Sequence, residues 1–193
     1  MMRRERLSTA SRQLVPMRQG NLDGLCGLYA TINAVQLALY PNRLLKRAEL
    51  VQLFDAGLQV LRKARALSTV MIHGMHGPLW AKVSAAVVAK AAVLKGCQLK
   101  LSCISLSASA DEFTMIRQVR HNVSRGRPVL LCVEGRLNHW TVVSRFSKTR
   151  LTLFDSSNHS WLLVRSICLA GTGVLRPYVV PRHGLVALHL EDS

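Results

Sequence analysis

One stretch of sequence decides the fold, namely QGNLDGLCGLYATINAVQLAL at residues 19–39. A glycine-rich loop in its first part leads directly to Cys26. From Cys26 to Leu39 the side chains are apolar on nearly all sides, Ala and Leu favour a helix, and the pattern ends before Tyr40 and Pro41. The stretch therefore predicts a buried central helix with a cysteine in its first turn.

Two further helices are predicted after the central one. Residues 44–66 place apolar side chains among charges at nearly helical spacing, and residues 79–94 are rich in Ala and Val. Two glycines and a proline within residues 73–78 predict a loop between them. The first half of the chain is therefore expected to be helical.

The second half of the chain is expected to form mainly strands. One helix is predicted over residues 111–123, with Ser109 or Asp111 as its cap. The predicted strands cover residues 98–105, 129–133, 139–146, 150–154, 161–167 and 186–190. Helices followed by strands predict an α+β fold in which an N-terminal helical part packs against a C-terminal antiparallel β-sheet.

Length and composition indicate a single domain. The chain has 193 residues, and 49% of them are hydrophobic, which is enough for one well-buried core. Residues 1–16 are polar and basic and end at Pro16, so they predict a flexible basic N-terminal arm. The domain itself is expected to occupy residues 17–193.

The net charge is strongly positive. The 26 Lys and Arg residues against 10 Asp and Glu give +16, which attracts nucleic acid, anionic membrane surfaces or acidic proteins. The basic residues are scattered with few aromatic side chains between them, so a solvated basic surface is the simpler interpretation and nucleic acid is a possible but not a favoured partner. A protein or peptide substrate with acidic segments fits the charge.

The cysteines indicate a reducing compartment. Their number is five, and no pair has the CxxC spacing of a structural metal site. His73 and His76 share one loop without a supporting carboxylate or cysteine cluster, so no metal site is predicted. With no uninterrupted apolar run of about 18 residues and no secretory signal, we expect no membrane span, and either a cytoplasmic location or delivery into another cell as an effector.

Cys26 is the predicted nucleophile. A thiol in the first turn of a helix lies near backbone N–H groups and the positive end of the helix dipole, which stabilise a thiolate. Gly24 and Gly27 flank it closely enough to admit a substrate backbone. A lone cysteine in apolar surroundings is more often structural, so the assignment depends on a partner base.

His139 and Asp155 are the predicted partners of this cysteine. His139 begins one predicted strand, and Asp155 ends the next. If residues 147–149 form the turn of a hairpin, antiparallel strands place both residues near the same end of the sheet. The carboxylate would then orient the imidazole and stabilise its cationic form. His159 is the rival base, but it has no strand context of its own.

With these residues the sequence resembles the papain-like cysteine peptidase superfamily, in particular compact bacterial members similar to bacteriocin-leader-processing peptidase domains. The resemblance covers about residues 19–157 and depends on Gln-x6-Cys, Cys-Gly, His-Trp-x-Val-Val and Phe-Asp-Ser motifs. It implies that Gln19 and the Cys26 backbone N–H form an oxyanion hole. The chain lacks the secretory signal and disulfides of many degradative members, and its helical part is short, which favours a specific activity.

Three residues are expected to contact substrate. They are Gly24 in the loop before the nucleophile, Trp140 after the predicted base, and His76 on the predicted loop at residues 73–78.

Three functions remain open at this point. The first is cleavage of a peptide or isopeptide bond through an acyl-enzyme, which needs no cofactor. The second uses the same three residues for acyl transfer, as in a transglutaminase, or for glutamine deamidation. The third is a non-catalytic module that binds a partner through its basic surface.

Overall fold

Helix α2, at Cys26–Leu39, lies at the centre of the molecule. The computed structural model describes residues 3–20 and 23–191. Every residue of α2 except Tyr29 is buried, and the helix contacts neighbouring helices as well as strands of the sheet. The sequence pattern predicted this helix with the same ends, because an element that is apolar on all sides has to be enclosed.

The helices around α2 agree with the sequence pattern except in two places. A short helix, α4, ends at His73, and the next helix begins at Gly77, so only three residues remain of the loop predicted over residues 73–78. The helices are α1 (Arg3–Gln13), α2 (Cys26–Leu39), α3 (Arg47–Lys63), α4 (Leu67–His73), α5 (Gly77–Lys95) and α6 (Glu112–Ser124). Asp111 caps α6, because its carboxylate accepts a hydrogen bond from the Thr114 N–H at 2.8 Å.

The second place is the N-terminus, where a packed helix replaces the predicted flexible arm. Leu7 and Ala10 on one face of α1 are buried, and Arg6 donates a hydrogen bond to the Ala38 carbonyl at the end of α2. The helix contacts α2, α6 and the sheet. The prediction of an arm was wrong for residues 3–13 because only a narrow apolar stripe, easily overlooked among arginines, holds this helix in place.

The strands form one largely antiparallel sheet. They are β1 (Gln98–Cys103), β2 (Val129–Gly135), β3 (His139–Phe146), β4 (Arg150–Leu153), β5 (Trp161–Leu163), β6 (Ile167–Leu169), β7 (Tyr178–Val180) and β8 (Leu185–Glu191). Six strands pair in the order β1-β8-β2-β3-β4-β5, while β7 pairs with β2 and, in parallel, with β6. The fold is therefore α+β, as predicted. The predicted strand over residues 161–167 is divided by a 3₁₀ turn, and β7 was not predicted.

The hairpin of β3 and β4 decides the geometry of the site. Ser147 closes the turn by donating its N–H to the Arg150 carbonyl at 2.8 Å. Val143 pairs with Leu153, but the next pair joins Arg145 to Thr152, so β3 carries one extra residue in a bulge. The antiparallel pairing brings the start of β3 and the end of β4 to the same edge of the sheet.

Helix α5 alone among the described helices is long and apolar enough to cross a membrane by length and composition. In this fold it packs against α2, α3 and β1. Its buried residues are Leu79, Trp80, Val83, Ser84, Val87, Val88 and Ala91. The helix therefore serves the core of the domain.

Candidate active site

The loop before α2 brings Cys26 to the edge of the sheet. Cys26 is the first residue of α2, and 8% of its surface is exposed. Asp23 shapes this loop, because its two carboxylate oxygens accept hydrogen bonds from the N–H groups of Gly20 at 2.8 Å and Leu25 at 3.2 Å. Leu25 is the residue at the N-terminal boundary of α2, so Asp23 orders the loop rather than capping the helix.

His139 and Asp155 form a buried pair beside Cys26. The Nε2 atom of His139 lies 2.8 Å from Oδ1 of Asp155, with 7% and 4% of the two residues exposed. The thiol of Cys26 lies close enough to the same imidazole to raise its pKa. Because Asp155 uses Nε2, the nitrogen left for the thiol is Nδ1. The three predicted residues therefore lie together in the order thiol, imidazole, carboxylate.

Asp155 is held in its ionised form. Burial by itself raises the pKa of this carboxyl, but the hydrogen bond with His139, the charge of that residue and further hydrogen bonds together outweigh burial, so the pKa lies below the ordinary value. The second oxygen, Oδ2, accepts hydrogen bonds from the N–H groups of Ser157 at 2.8 Å and His159 at 3.1 Å. These donors fix both the charge and the direction of the carboxylate.

The environment of His139 favours the imidazolium. Burial alone would lower its pKa, yet the hydrogen bonds with Asp155 and Cys26, and the charges of the same two residues, raise the pKa of His139 to about 9. The imidazole is therefore cationic at neutral pH. A cation in contact with a thiol stabilises the thiolate, which is the nucleophilic form.

Gln19 lies next to the residue that follows Asp155. Its Oε1 accepts a hydrogen bond from the Ser156 hydroxyl at 3.1 Å, and its backbone N–H donates to the Ser156 carbonyl at 3.2 Å. One amide N–H points to the Asp23 carbonyl at 3.4 Å. With Oε1 fixed by Ser156, the amide nitrogen has a defined direction, and its part in an oxyanion hole stays a prediction.

The contacts of two further residues of the site were not predicted from sequence. Ser156 orients Gln19, and the imidazole of His159 meets the ring of His139 edge to face with centroids 5.6 Å apart. Both lie in the loop after Asp155, whose backbone turns at Asn158 with a φ of 68°. Their proximity to Asp155 along the chain is the one signal that sequence offers, and it does not reveal which side chain they contact.

The predicted substrate residues have separate environments. Gly24 packs against α4: a Cβ atom there would lie 2.2 Å from the Val70 carbonyl oxygen. The absence of a side chain at Gly24 therefore lets α4 approach the loop closely. A contact of Gly24 with substrate stays a prediction. His76 is exposed and precedes α5, so its role also stays a prediction.

Trp140 packs face to face with Trp80, with ring centroids 3.9 Å apart. The Trp80 indole N–H donates to the Gly27 carbonyl at 3.2 Å, which joins this pair to the helix that begins at Cys26. Both rings border an apolar cavity of about 420 Å³, lined by Gly77, Pro78, Trp80, Ala81, Cys103, Trp140, His183 and Val186. Trp80 contacts Gly27, the residue after Cys26, so the cavity lies near the candidate site.

The other cysteines differ from Cys26 in their surroundings. Burial, followed by the charges of Glu134 and Cys26, raises the pKa of Cys132 to about 12. Cys103 is exposed and Cys168 is buried, and none of the five forms a disulfide. Within residues 3–20 and 23–191, no group of three His, Cys, Asp or Glu side chains is arranged to hold a metal ion.

The chain matches no family model, and neither a curated protein nor a solved structure is significantly similar to it. The geometry of the site therefore has to support any functional assignment by itself.

Proposed function

We propose that this protein is a thiol-dependent hydrolase of the papain-like type that cleaves a peptide or isopeptide bond. The observation that carries the proposal is the contact of a helix-terminal thiol with an imidazole that a buried carboxylate holds at 2.8 Å. Core packing gives no reason to bury an acid and a histidine beside a cysteine, whereas nucleophilic catalysis requires such a set.

The reaction would begin with the charged pair of Cys26 and His139. The thiolate attacks the substrate carbonyl carbon, and the new C–S bond forms as the carbonyl electrons move to oxygen. The Gln19 amide and the Cys26 backbone N–H would stabilise that oxyanion. His139 then donates its proton to the leaving amine as the C–N bond breaks, which leaves a thioester on Cys26.

Water would complete the cycle. His139, now neutral, removes a proton from a water molecule, whose oxygen attacks the thioester carbonyl. Loss of the Cys26 thiolate releases the acid, and the proton stays on His139 to restore the starting pair. Asp155 keeps the imidazole oriented through both steps, and the reaction consumes only water.

The cavity next to Trp140 supports a substrate with an apolar side chain near the scissile bond. Its walls are almost entirely apolar, and its volume of about 420 Å³ lies in the range of ligand sites. The positive charge of the chain then favours acidic residues farther along the same substrate.

The decisive substitution is Cys26→Ala. We expect incubation of a proteome-derived peptide mixture with the wild-type protein to give cleaved products in mass spectrometry, and Cys26→Ala to give none while its circular dichroism spectrum stays unchanged. Cys97→Ala is the matched control, since it removes a partly exposed thiol that does not line the apolar cavity. Full turnover by Cys26→Ala would refute the proposal.

The same measurement separates hydrolysis from the other reactions that this site supports. Hydrolysis splits the chain and adds one water, deamidation of glutamine raises the mass by about one unit, and acyl transfer from glutamine adds the mass of the amine less that of the ammonia released. Either of the last two results would keep the nucleophile and replace the proposed reaction.

A further inference from the structure

A second cavity, far from Cys26, is lined by cations and hydroxyls. Its volume is about 310 Å³, and it lies among α1, α6 and the hairpin of β3 and β4. The lining residues are Ser8, Arg12, Val123, Ser144, Arg145, Phe146, Ser147 and Thr152. Two arginines and four hydroxyls thus face one space, and the described lining includes no carboxylate.

The position of these side chains follows from the local backbone. Ser8 and Arg12 are four residues apart, so they share one face of α1. On the sheet, Ser144 is the extra residue of the bulge in β3, and the bulge brings Ser144 and Arg145 together to the cavity. Bulges commonly redirect side chains at functional sites. Helix and sheet therefore present their polar groups toward each other.

One buried side-chain nitrogen of Arg145 lacks a hydrogen-bond partner in the part of the chain that the structure describes. Its Nε is buried and makes no hydrogen bond to any described residue. Burial and then the nearby charge of Arg12 lower the pKa of Arg145, so the two cations repel each other across the cavity. A buried donor and an uncompensated pair of like charges both cost stability, and an anion placed between them would remove both costs.

A third arginine, Arg120, holds the turn at the edge of this cavity. Arg120 donates to the carbonyl groups of Ser147 at 3.0 Å and Lys148 at 2.9 Å, and its guanidinium lies 5.8 Å from the centre of the Phe146 ring. The turn that carries the Ser147 hydroxyl is thereby fixed. The positive charge of Arg120 adds to that of Arg12 and Arg145.

We propose that this cavity binds the phosphate group of a small phosphate-bearing ligand. Arginine matches phosphate oxygens with paired donors, and hydroxyl groups supply the remaining hydrogen bonds. Arg145 lies six positions after His139 in β3, about 20 Å along the strand, so this cavity is distinct from the proposed catalytic centre. The inference does not depend on the proposed hydrolase activity.

Calorimetric titration of the full chain tests the proposal, with inorganic pyrophosphate, ATP and adenosine as probes at about 0.15 M salt. We expect pyrophosphate and ATP to bind and adenosine not to bind. If ATP binds more tightly than pyrophosphate, the site is assigned to nucleotides. If the two bind equally, the site is assigned to free phosphate compounds. Both results support a phosphate site. Binding of adenosine equal to that of ATP, or no binding of either phosphate probe, would overturn it.

Paired substitutions distinguish a built site from general attraction by a chain of charge +16. Arg145→Gln should weaken pyrophosphate binding about tenfold or more. Arg165→Gln is the control, because it removes the same charge from an exposed position outside the cavity and should leave affinity within about twofold. If Arg145→Gln fails to fold, Arg12→Gln changes an exposed helical residue and should give the same loss. Equal weakening by the control substitution, or binding of an oligonucleotide that pyrophosphate does not displace, would contradict the proposal.

Discussion

At the residue scale, the candidate site depends on a carboxylate that keeps its charge while buried. Asp155 is 4% exposed and accepts hydrogen bonds from a histidine and two backbone N–H groups. Burial lowers the pKa of the neighbouring His139 imidazole, but Asp155 together with Cys26 raises that pKa to about 9. The ionised carboxylate therefore links the chemistry of the site to the stability of the fold.

This linkage predicts how stability depends on pH. The pKa of His139 is about 9 in the folded protein and near the ordinary histidine value of 6.5 in the unfolded chain, so its stabilising contribution is complete below about pH 6.5. The contribution is lost as pH rises through about 9, and amounts to about 3 kcal/mol at most. Urea unfolding of the wild-type protein and His139→Gln over this range measures it.

Other groups titrate in both proteins, so the effect of His139 is the difference between their free energies of unfolding. We expect the wild type to lose stability relative to His139→Gln between about pH 6.5 and 9. A difference that stays constant over this range would contradict a raised pKa of His139.

The main residues of the site could be predicted because local patterns carry them. Cys26 follows a glycine-rich loop at the start of an apolar helix, and His139 and Asp155 flank a predicted hairpin, although the bulge in that hairpin was not predicted. The contacts of Ser156 with Gln19 and of His159 with His139 could not be predicted, since they arise from the backbone path of a loop. Side chains on such a loop have no periodicity that assigns them a direction.

At the element scale, the backbone of α4 holds the loop that precedes Cys26. The Gly24 N–H donates to the Met71 carbonyl at 2.9 Å, and the missing side chain allows the Val70 carbonyl to approach. The sequence pattern did not predict α4 because seven residues are too few to display an amphipathic face, and only Val70 among them is buried. The role of Gly24 became evident only once this helix was in place.

Gly24→Ala tests this contact. A Cβ atom 2.2 Å from the Val70 oxygen forces the loop and α4 apart, so we expect a loss of about 1–3 kcal/mol in the free energy of unfolding. Chemical denaturation measures the loss. Gly77→Ala is the control, because the nearest atom to its added Cβ would be Cδ2 of His183 at an ordinary 3.6 Å. If both substitutions leave stability unchanged, α4 does not hold the loop.

At the scale of the whole molecule, the N-terminal helix completes the core. Helix α1 contacts β3, α2 and α6, the same elements that carry or support the candidate site and the phosphate cavity. The α+β class could be predicted from the order of helices and strands, but the packing of α1 could not. Leu7, Ala10 and Leu14 form its apolar stripe, which tertiary contacts rather than local pattern make stable.

Leu7→Ala measures this contribution. Leu7 is 2% exposed, and its truncation should cost about 2–4 kcal/mol of unfolding free energy by transfer and cavity effects. Val15→Ala is the matched control, because Val15 is 74% exposed and should change stability by no more than about 0.5 kcal/mol. If Leu7→Ala and Val15→Ala both change the free energy of unfolding by the same small amount, residues 3–13 do behave as an arm.

The most direct test of an activated thiol is competitive alkylation with limiting iodoacetamide, each cysteine being quantified by mass spectrometry across pH. Cys103 is exposed while Cys26 is only 8% exposed, so access alone would make Cys103 react first. An activated pair predicts the opposite order: Cys26 reacts first at neutral pH and below, Cys132 hardly reacts, and His139→Ala abolishes the preference for Cys26. Alkylation of Cys26 no faster than that of Cys103, with no effect of His139→Ala, would contradict the proposed catalytic site.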